Sequence, residues 1–343
     1  MKAVYKLLLA GFSFYASSGP MLSAQNSQAL GCNAAPSCEF SQPSAAQSGA
    51  FFGEKPRGNP YHMAFDRFLA EGDDQWVIGR FTYGNILKRA NLRGEAVDIY
   101  VLRNCQSNQW EHLGRAWTSM QKGQNQSVEG FDDRGGQVFF KIPEDKKLGL
   151  GRHRLRLVVD GDSSGADMYI EVLEPGTSIF VSDVDGTLTG SELQELWKLV
   201  LTGGMSTARP LAADLFTKLE QKGYRPFYLT ARPEFLHERT RDFLKAKGFP
   251  GGVLRTSSKG LIGLKGAPAV DYKSQAMFDL QDRGFNLVFA FGNTDSDAEA
   301  FYNTGLDADR RFLFKYQDEA FGGTTIDSYQ GLDYLVTTPE ACL

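Results

Sequence analysis

An excess of positive charge is the first thing this 343-residue chain lacks: 37 Lys and Arg stand against 41 Asp and Glu, a formal net charge of −4. A nucleic-acid coat draws on clustered cations that neutralise many phosphates, so no nucleic-acid partner is expected and any basic site must be local. Histidine is scarce, and His62, His112, His153 and His237 show no metal-ligand spacing. Cysteine is equally scarce; Cys32, Cys38, Cys105 and Cys342 fit no zinc pattern. No apolar run reaches the roughly 18 residues that a spanning segment needs, so the mature chain is expected to have no transmembrane segment. No internal repeat is visible. What is there, 42% hydrophobic and 23% charged residues, describes a globular chain long enough for two domains.

The N-terminus reads as a targeting signal. Met1 to Lys6 carries two lysines, Leu7 to Ala16 is a short apolar core, and Leu22-Ser23-Ala24 suits cleavage. Residues 1–24 are therefore expected to be a signal peptide and the mature chain to be exported, periplasmic or secreted. A lipid anchor at Cys32 is the weaker alternative, because that residue lies well past the apolar core. In an exported protein disulfides can persist. Cys32 and Cys38 are the pair nearest in sequence, although four cysteines allow three pairings. Residues 25–58, rich in Ser, Gln, Ala and Pro, read as a flexible leader.

Two folded domains are expected after it. Within 59–176, strands are predicted at Trp76 to Tyr83, Ala96 to Leu102, Gln137 to Ile142, Arg152 to Asp160 and Ala166 to Leu173. Their β-branched and aromatic residues, punctuated by Gly, Asn and Asp, suggest an antiparallel Ig-like β-sandwich. Gln106 to Arg134 is polar and reads as loop. Beyond Pro175-Gly176, within 177–343, strands alternate with helices, the sign of a parallel α/β sheet. Ser178 to Ser182, Arg225 to Leu229 and Asn286 to Phe291 are the strands; helices follow at Leu211 to Lys222 and from Pro233 to Gly248. Between Gly248 and Asp271 there is room for a small hairpin, so no large cap is expected.

Ligands of open parallel sheets bind beyond the carboxyl ends of the strands. All three strands end in polar residues there: Asp183-Val184-Asp185, Thr230-Ala231-Arg232, and Gly292-Asn293-Thr294-Asp295-Ser296-Asp297. Asp183 and Asp185, two residues apart, can divide nucleophilic attack and proton handling between them. Gly186 permits a tight bend whose N–H groups can face an anion. A carboxylate approaching a phosphate meets repulsion of about 4 kcal/mol per charge pair at ~4 Å and an effective dielectric near ~20. That calls for a cation, and hard oxygen donors point to Mg²⁺, held by Asp183, the Asp185 carbonyl, Asn293 and Asp297. Thr230 can hold a phosphoryl oxygen or cap the following helix. Lys273 is the best-placed ammonium, with Lys259 and Lys265 nearby. Arg232 can bind the phosphate or pair with Glu234 or Glu238. Asp295 reads as exposed or indirect. Leu196, Trp197, Leu199, Val200 and Leu201 have helical spacing suited to core, and could instead meet acyl chains.

The motifs DVDGT, a strand-ending Thr, a downstream Lys and GNTDSD resemble those of the haloacid dehalogenase superfamily. That resemblance implies a haloacid-dehalogenase-like Rossmannoid fold, an aspartyl-phosphate on Asp183, and Asp185 as acid and then base. More narrowly, DVDGTLTGSE, YLTARPE, TRDFLKAKGFPGG and FAFGNTDSDAEAF are similar to the lipin-type (LNS2) domain. Lipins are Mg²⁺-dependent phosphatidate phosphatases. The preceding VIGRFTYGN, GEAVDIYVL and LGLGRHRLRLVVDGDSSGADMYIEVLEPGT resemble the region before that domain in membrane-associated phosphatidylinositol transfer proteins. The implied function is hydrolysis of phosphatidic acid to diacylglycerol through peripheral contact with a membrane surface. The alternatives are turnover of other phosphomonoesters, or phosphatidic-acid binding with little turnover. The transfer-protein relatives typically lack the aspartate pair that this chain keeps, which favours catalysis.

Overall fold

A computed structural model describes residues 56–85, 88–190, 204–258 and 263–337, together with 36, 38, 41–43 and 49–54. The signal-peptide reading, Lys259 and the stretch from Leu196 to Leu201 lie outside the described residues.

Six parallel strands form the second half of the chain. Their order across the sheet is Val253–Ser257, Arg225–Pro233, Ser178–Ser182, Asn286–Gly292, Arg311–Phe314 and Thr324–Ile326. Numbered along the chain that is 3-2-1-4-5-6, so the winding reverses between the first and fourth strands. The carboxyl ends that diverge at this point are those carrying Asp183 and Asn293. The strands are apolar on both faces, as a sheet covered on both sides requires: Ile179, Phe180, Val181, Ala290 and Phe291 are all buried. Helices Ala212–Gln221 and His237–Ala246 turn apolar stripes to the sheet through Leu215, Phe216 and Leu219, and through Phe243 and Leu244. The expected small hairpin is instead the edge strand Val253–Ser257 followed by the helix Ala267–Asp282. The strand is only five residues long and lies just after Gly251-Gly252, which leaves little periodicity to read.

The first half is built of short strands. Five form one sheet in the order Arg67–Ala70, Gly165–Leu173, Gly151–Val159, Ala96–Leu102 and Glu111–Trp117; all neighbours are antiparallel except the first pair. Facing it, Trp76–Arg80 pairs with Met63–Ala64 and Gln137–Lys141. Val77, Phe81, Val97, Ile99, Leu155, Leu157 and Met168 fill the space between. The stretch read as loop, Gln106 to Arg134, contains the edge strand Glu111–Trp117. Of its seven residues only Leu113 is buried, so the polar composition hid it.

Cys38 is bonded to Cys105 rather than to Cys32, across 67 residues. The bond ties part of the Ser-rich leader to the sandwich, and Phe51 also packs edge-on against Tyr83. The two halves share a core. Phe68, Ala70 and Leu173 of the sandwich pack with Ile179, Val181, Phe227, Leu229 and Phe285 of the parallel sheet. Among the described residues no helix is long and apolar enough to cross a membrane.

Candidate active site

At the reversal of winding lies a cavity of about 360 Å³ lined by Asp183, Asp185, Arg232, Lys265, Lys273 and Asn293, among others. Asp183 ends the first strand, and its N–H donates to the Phe291 carbonyl of the fourth. The chain then leaves the sheet through Gly186, at φ +77°. A Cβ on Gly186 would come within 2.1 Å of the Asn293 amide nitrogen, so the two loops meet only because this residue has no side chain.

Lys273 projects from the helix Ala267–Asp282 and is buried. Its ammonium donates to Asp183 Oδ1 at 2.9 Å and to Asp297 Oδ1 at 2.5 Å. Burial alone would lower the affinity of Lys273 for its proton, but Asp183 and Asp297 together outweigh it and raise it. Burial pushes the Asp183 carboxyl up to about 7; Lys273 opposes this, while Asp297 and Asp185 add to it.

The oxygens differ in what they already hold. Asp297 Oδ2 accepts from the N–H groups of Asn293 and Thr294, both at 3.1 Å, and from the Thr294 hydroxyl at 2.7 Å. With Oδ1 on Lys273, both of its oxygens accept hydrogen bonds, and it ties the loop to the lysine. Asp183 Oδ2 and Asn293 Oδ1 are joined through one hydroxyl, Thr187 Oγ1, at 3.3 and 2.8 Å. Sequence reasoning passed over Thr187 although it stands inside the DVDGT motif. A carboxylate oxygen and an amide oxygen within reach of one hydroxyl, beside the Asp185 main chain, are a hard donor set that fits Mg²⁺, an ion that keeps several waters and takes few protein groups.

Arg232 lines the cavity in which it was weighed as a phosphate ligand. Its guanidinium grips Asp185 with two hydrogen bonds, Nε to Oδ2 at 2.8 Å and Nη2 to Oδ1 at 2.7 Å, and donates to Thr240 Oγ1 at 2.8 Å. Neither Glu234 nor Glu238 is its partner. Thr230 does not cap the following helix: its hydroxyl reaches Asp185 Oδ2 at 3.4 Å and accepts from the Arg232 N–H at 3.2 Å, inside the strand Arg225–Pro233. The Gly186 N–H, expected to face an anion, donates to Thr189 Oγ1 at 2.9 Å. Arg209, which the sequence did not single out, donates to the Gly186 carbonyl at 3.1 and 3.2 Å and so braces the same turn. Asp295 is exposed and accepts from the Tyr316 hydroxyl at 2.8 Å. Asp183, Asp185, Lys273, Asn293 and Arg232 therefore converge on one cavity, with Gly186, Thr230 and Asp297 supporting it from behind.

Comparison with known proteins follows the same two halves. Residues 60–172 match the family model described as the beta-sandwich domain of PITM 1-3, and residues 180–315 match the LNS2 domain of PITM 1-3. The chain is 28% identical over 253 residues to protein retinal degeneration B of Drosophila melanogaster, covering 74% of this chain and 18% of that protein. To membrane-associated phosphatidylinositol transfer protein 3 of Mus musculus it is 29% identical over 266 residues, covering 75% and 24% respectively. The chain thus spans a quarter or less of the length of these relatives. A HAD family hydrolase of Salmonella enterica serovar Typhi overlaps 48% of this chain and 72% of its own at 13% identity, with a TM-score of 0.32, too slight a likeness to carry an argument. The chain carries an LNS2 domain, on a parallel α/β sheet, preceded by the β-sandwich of these transfer proteins. This kinship corrects the localisation. The relatives are membrane-associated phosphatidylinositol transfer proteins and not secreted or periplasmic ones, so the expectation of export is withdrawn.

Proposed function

We propose that this chain is a Mg²⁺-dependent phosphatidate phosphatase, a two-domain protein divided near residue 176 that releases phosphate from phosphatidic acid at a membrane surface. The observation that carries this reading is the meeting of Asp183, Asp185 and Lys273 at the point where the strand order reverses. Mg²⁺, held by Asp183, the Asp185 carbonyl and Asn293, would offset the repulsion between carboxylate and phosphate. Lys273 holds Asp183 Oδ1 and the Thr187 hydroxyl reaches Oδ2, so one oxygen would attack phosphorus while the other would meet the cation. As the P–O bond to the glycerol oxygen breaks, Asp185 gives that oxygen a proton and diacylglycerol leaves. Asp185 then takes a proton from water, whose oxygen attacks the aspartyl-phosphate and frees inorganic phosphate with Asp183 restored.

One observation favours a second reading. Arg232 donates to both oxygens of Asp185, so one of them must be released before it can hand a proton to the leaving group. A module that binds phosphatidic acid with little turnover would have no need of that release. Phosphate release from phosphatidic acid vesicles and from a soluble aryl phosphate, each with chelator and then with added Mg²⁺, separates the possibilities. Mg²⁺-restored release from vesicles is expected. Release only from the soluble ester would indicate a different phosphomonoester substrate; vesicle binding without release from either would establish the binding module. Undiminished turnover in chelator would remove the metal.

A further inference from the structure

Ala231 and Arg232 line the first cavity; the residues that follow them, Pro233, Glu234 and Phe235, line another. This second cavity, of about 430 Å³, opens between the sandwich and the parallel sheet. Arg80, Lys88, Arg89 and Arg134 of the sandwich line it, and among the described residues Glu234 is the one carboxylate in its walls. Glu234 is buried and fully engaged: Arg80 Nη1 donates to one of its oxygens and Arg134 Nη2 to the other. Arg134 Nη1 also donates to the Ser258 carbonyl at 2.6 Å.

Those contacts leave cationic donors over. Arg89 stacks 4.0 Å from the centre of the Phe235 ring, an apolar face that supplies no hydrogen-bond acceptor. Its Nη1 is buried without an acceptor among the described residues, as is Arg80 Nε. Burial, and after it the neighbouring charge of Arg80, lowers the affinity of Arg89 for its proton. Lys88 stands exposed at the rim. An ion-pair network that served only to join the two halves would match cations with acceptors. This one holds four cations against one carboxylate, and buried N–H groups without partners are costly. Planar guanidinium forks around a space of this size suit the several oxygens of a phosphoryl group, whereas Glu234 takes only one N–H from each of Arg80 and Arg134.

We propose that this interdomain cavity is a second anion site, which binds a phosphoryl group of two or more negative charges through Arg80, Lys88 and Arg89. The source can be a free phosphate compound or a lipid headgroup. The site does not depend on the catalytic reading, since none of its cations touches the aspartates.

The test is calorimetric titration of inorganic pyrophosphate into the full chain, in chelator so that the aspartate cavity gains no metal. The wild type is expected to bind it, and Lys88→Gln/Arg89→Gln to bind at least about tenfold more weakly. Lys265→Gln, in the first cavity, should leave that binding unchanged. Lys88→Glu, a change at an exposed position, guards against misfolding of the double variant and should weaken binding as well. Sedimentation with phosphatidylcholine vesicles, with and without phosphatidylinositol 4-phosphate, separates the sources: vesicle binding lost in the same variants identifies a headgroup, and pyrophosphate binding alone a free anion. Failure of the wild type to bind either probe, variants that bind like the wild type, or loss of binding on Lys265→Gln would overturn the site.

Discussion

Removing the carboxylate of Asp66 should unfold both halves of the protein more easily, although Asp66 lies far in sequence from the parallel sheet. Asp66 is 1% exposed. Its Oδ1 accepts from the Tyr169 N–H and from Arg241 Nη2, both at 2.8 Å, and its Oδ2 accepts from the Leu254 N–H at 3.2 Å. Tyr169 belongs to the sandwich, whereas Arg241 and Leu254 belong to the α/β half. Asp66→Ala leaves a guanidinium that is mostly buried with less compensation, and two main-chain donors without their acceptor. Breaking one side of a buried pair costs about 3–5 kcal/mol, a large share of the roughly 5–15 kcal/mol that holds a domain folded. Because the side chain of Arg241 is 19% exposed and also pairs with Glu238 at 2.9 Å, the lower end, about 3 kcal/mol, is expected. Urea unfolding followed by far-ultraviolet circular dichroism and by tryptophan fluorescence would measure it. The shared core of Phe68, Phe227 and Phe285, with ring centres 6.1 and 6.3 Å apart, implies a single transition by both probes. A cycle with Arg241→Ala should give a coupling of at least about 1 kcal/mol. A cost for Asp66→Ala below about 1 kcal/mol, with coupling within about 0.5 kcal/mol of zero, would refute docking through this pair.

Gly186→Ala should lower phosphate release by about 100-fold, because its Cβ would displace the Asn293 amide and the φ of +77° disfavours any side chain; kinetics within a few-fold of wild type would free Gly186 of that constraint. Asp183→Asn should leave release at background with the melting temperature kept, whereas Asp185→Asn should harm phosphatidic acid more than an aryl phosphate, whose leaving group needs no proton; equal losses on both esters would count against the acid role. Acid should weaken the fold. Burial lowers the affinity of His62 and His153 for a proton to a pKa of about 4, and burial with the charge of Arg241 lowers that of His237 to about 3. The unfolded chain protonates near ~6.5, so their contribution is complete above that pH and is lost as pH falls towards 4, by about 1.4 kcal/mol per pH unit for each histidine. Denaturation midpoints measured from pH 7 to 5 should fall, and His62→Gln should flatten that slope; an unchanged slope would mean that His62 already carries a proton in the fold.

The sequence showed the parts of this protein that depend on neighbours in the chain. Each of Ser178–Ser182, Arg225–Pro233 and Asn286–Gly292 is an apolar run ending in polar residues, and that transition alone placed Asp183, Thr230 and Asn293 at one edge of the sheet. Lys273, which lies on a helix, came instead from the need for an ammonium near those strand ends, with Lys259 and Lys265 as rivals. Partners chosen across long separations left no local trace. Cys38 finds Cys105 across 67 residues, and Glu234 finds Arg134 and Arg80 across 100 and 154. Sequence proximity suggested Glu234 or Glu238 for Arg232, yet the strand pairing sets Arg232 against Asp185, 47 residues earlier, and gives Glu234 to the sandwich. That exchange bears on the chemistry. With Glu234 engaged by Arg80 and Arg134, it is not available to take the place of Asp185 on Arg232, so the hold on Asp185 must loosen by movement of Arg232 itself or by the arrival of a competing phosphoryl oxygen. On the proposed reading, the second route would couple release of Asp185 to the arrival of substrate, while in an empty site Arg232 keeps both of its oxygens.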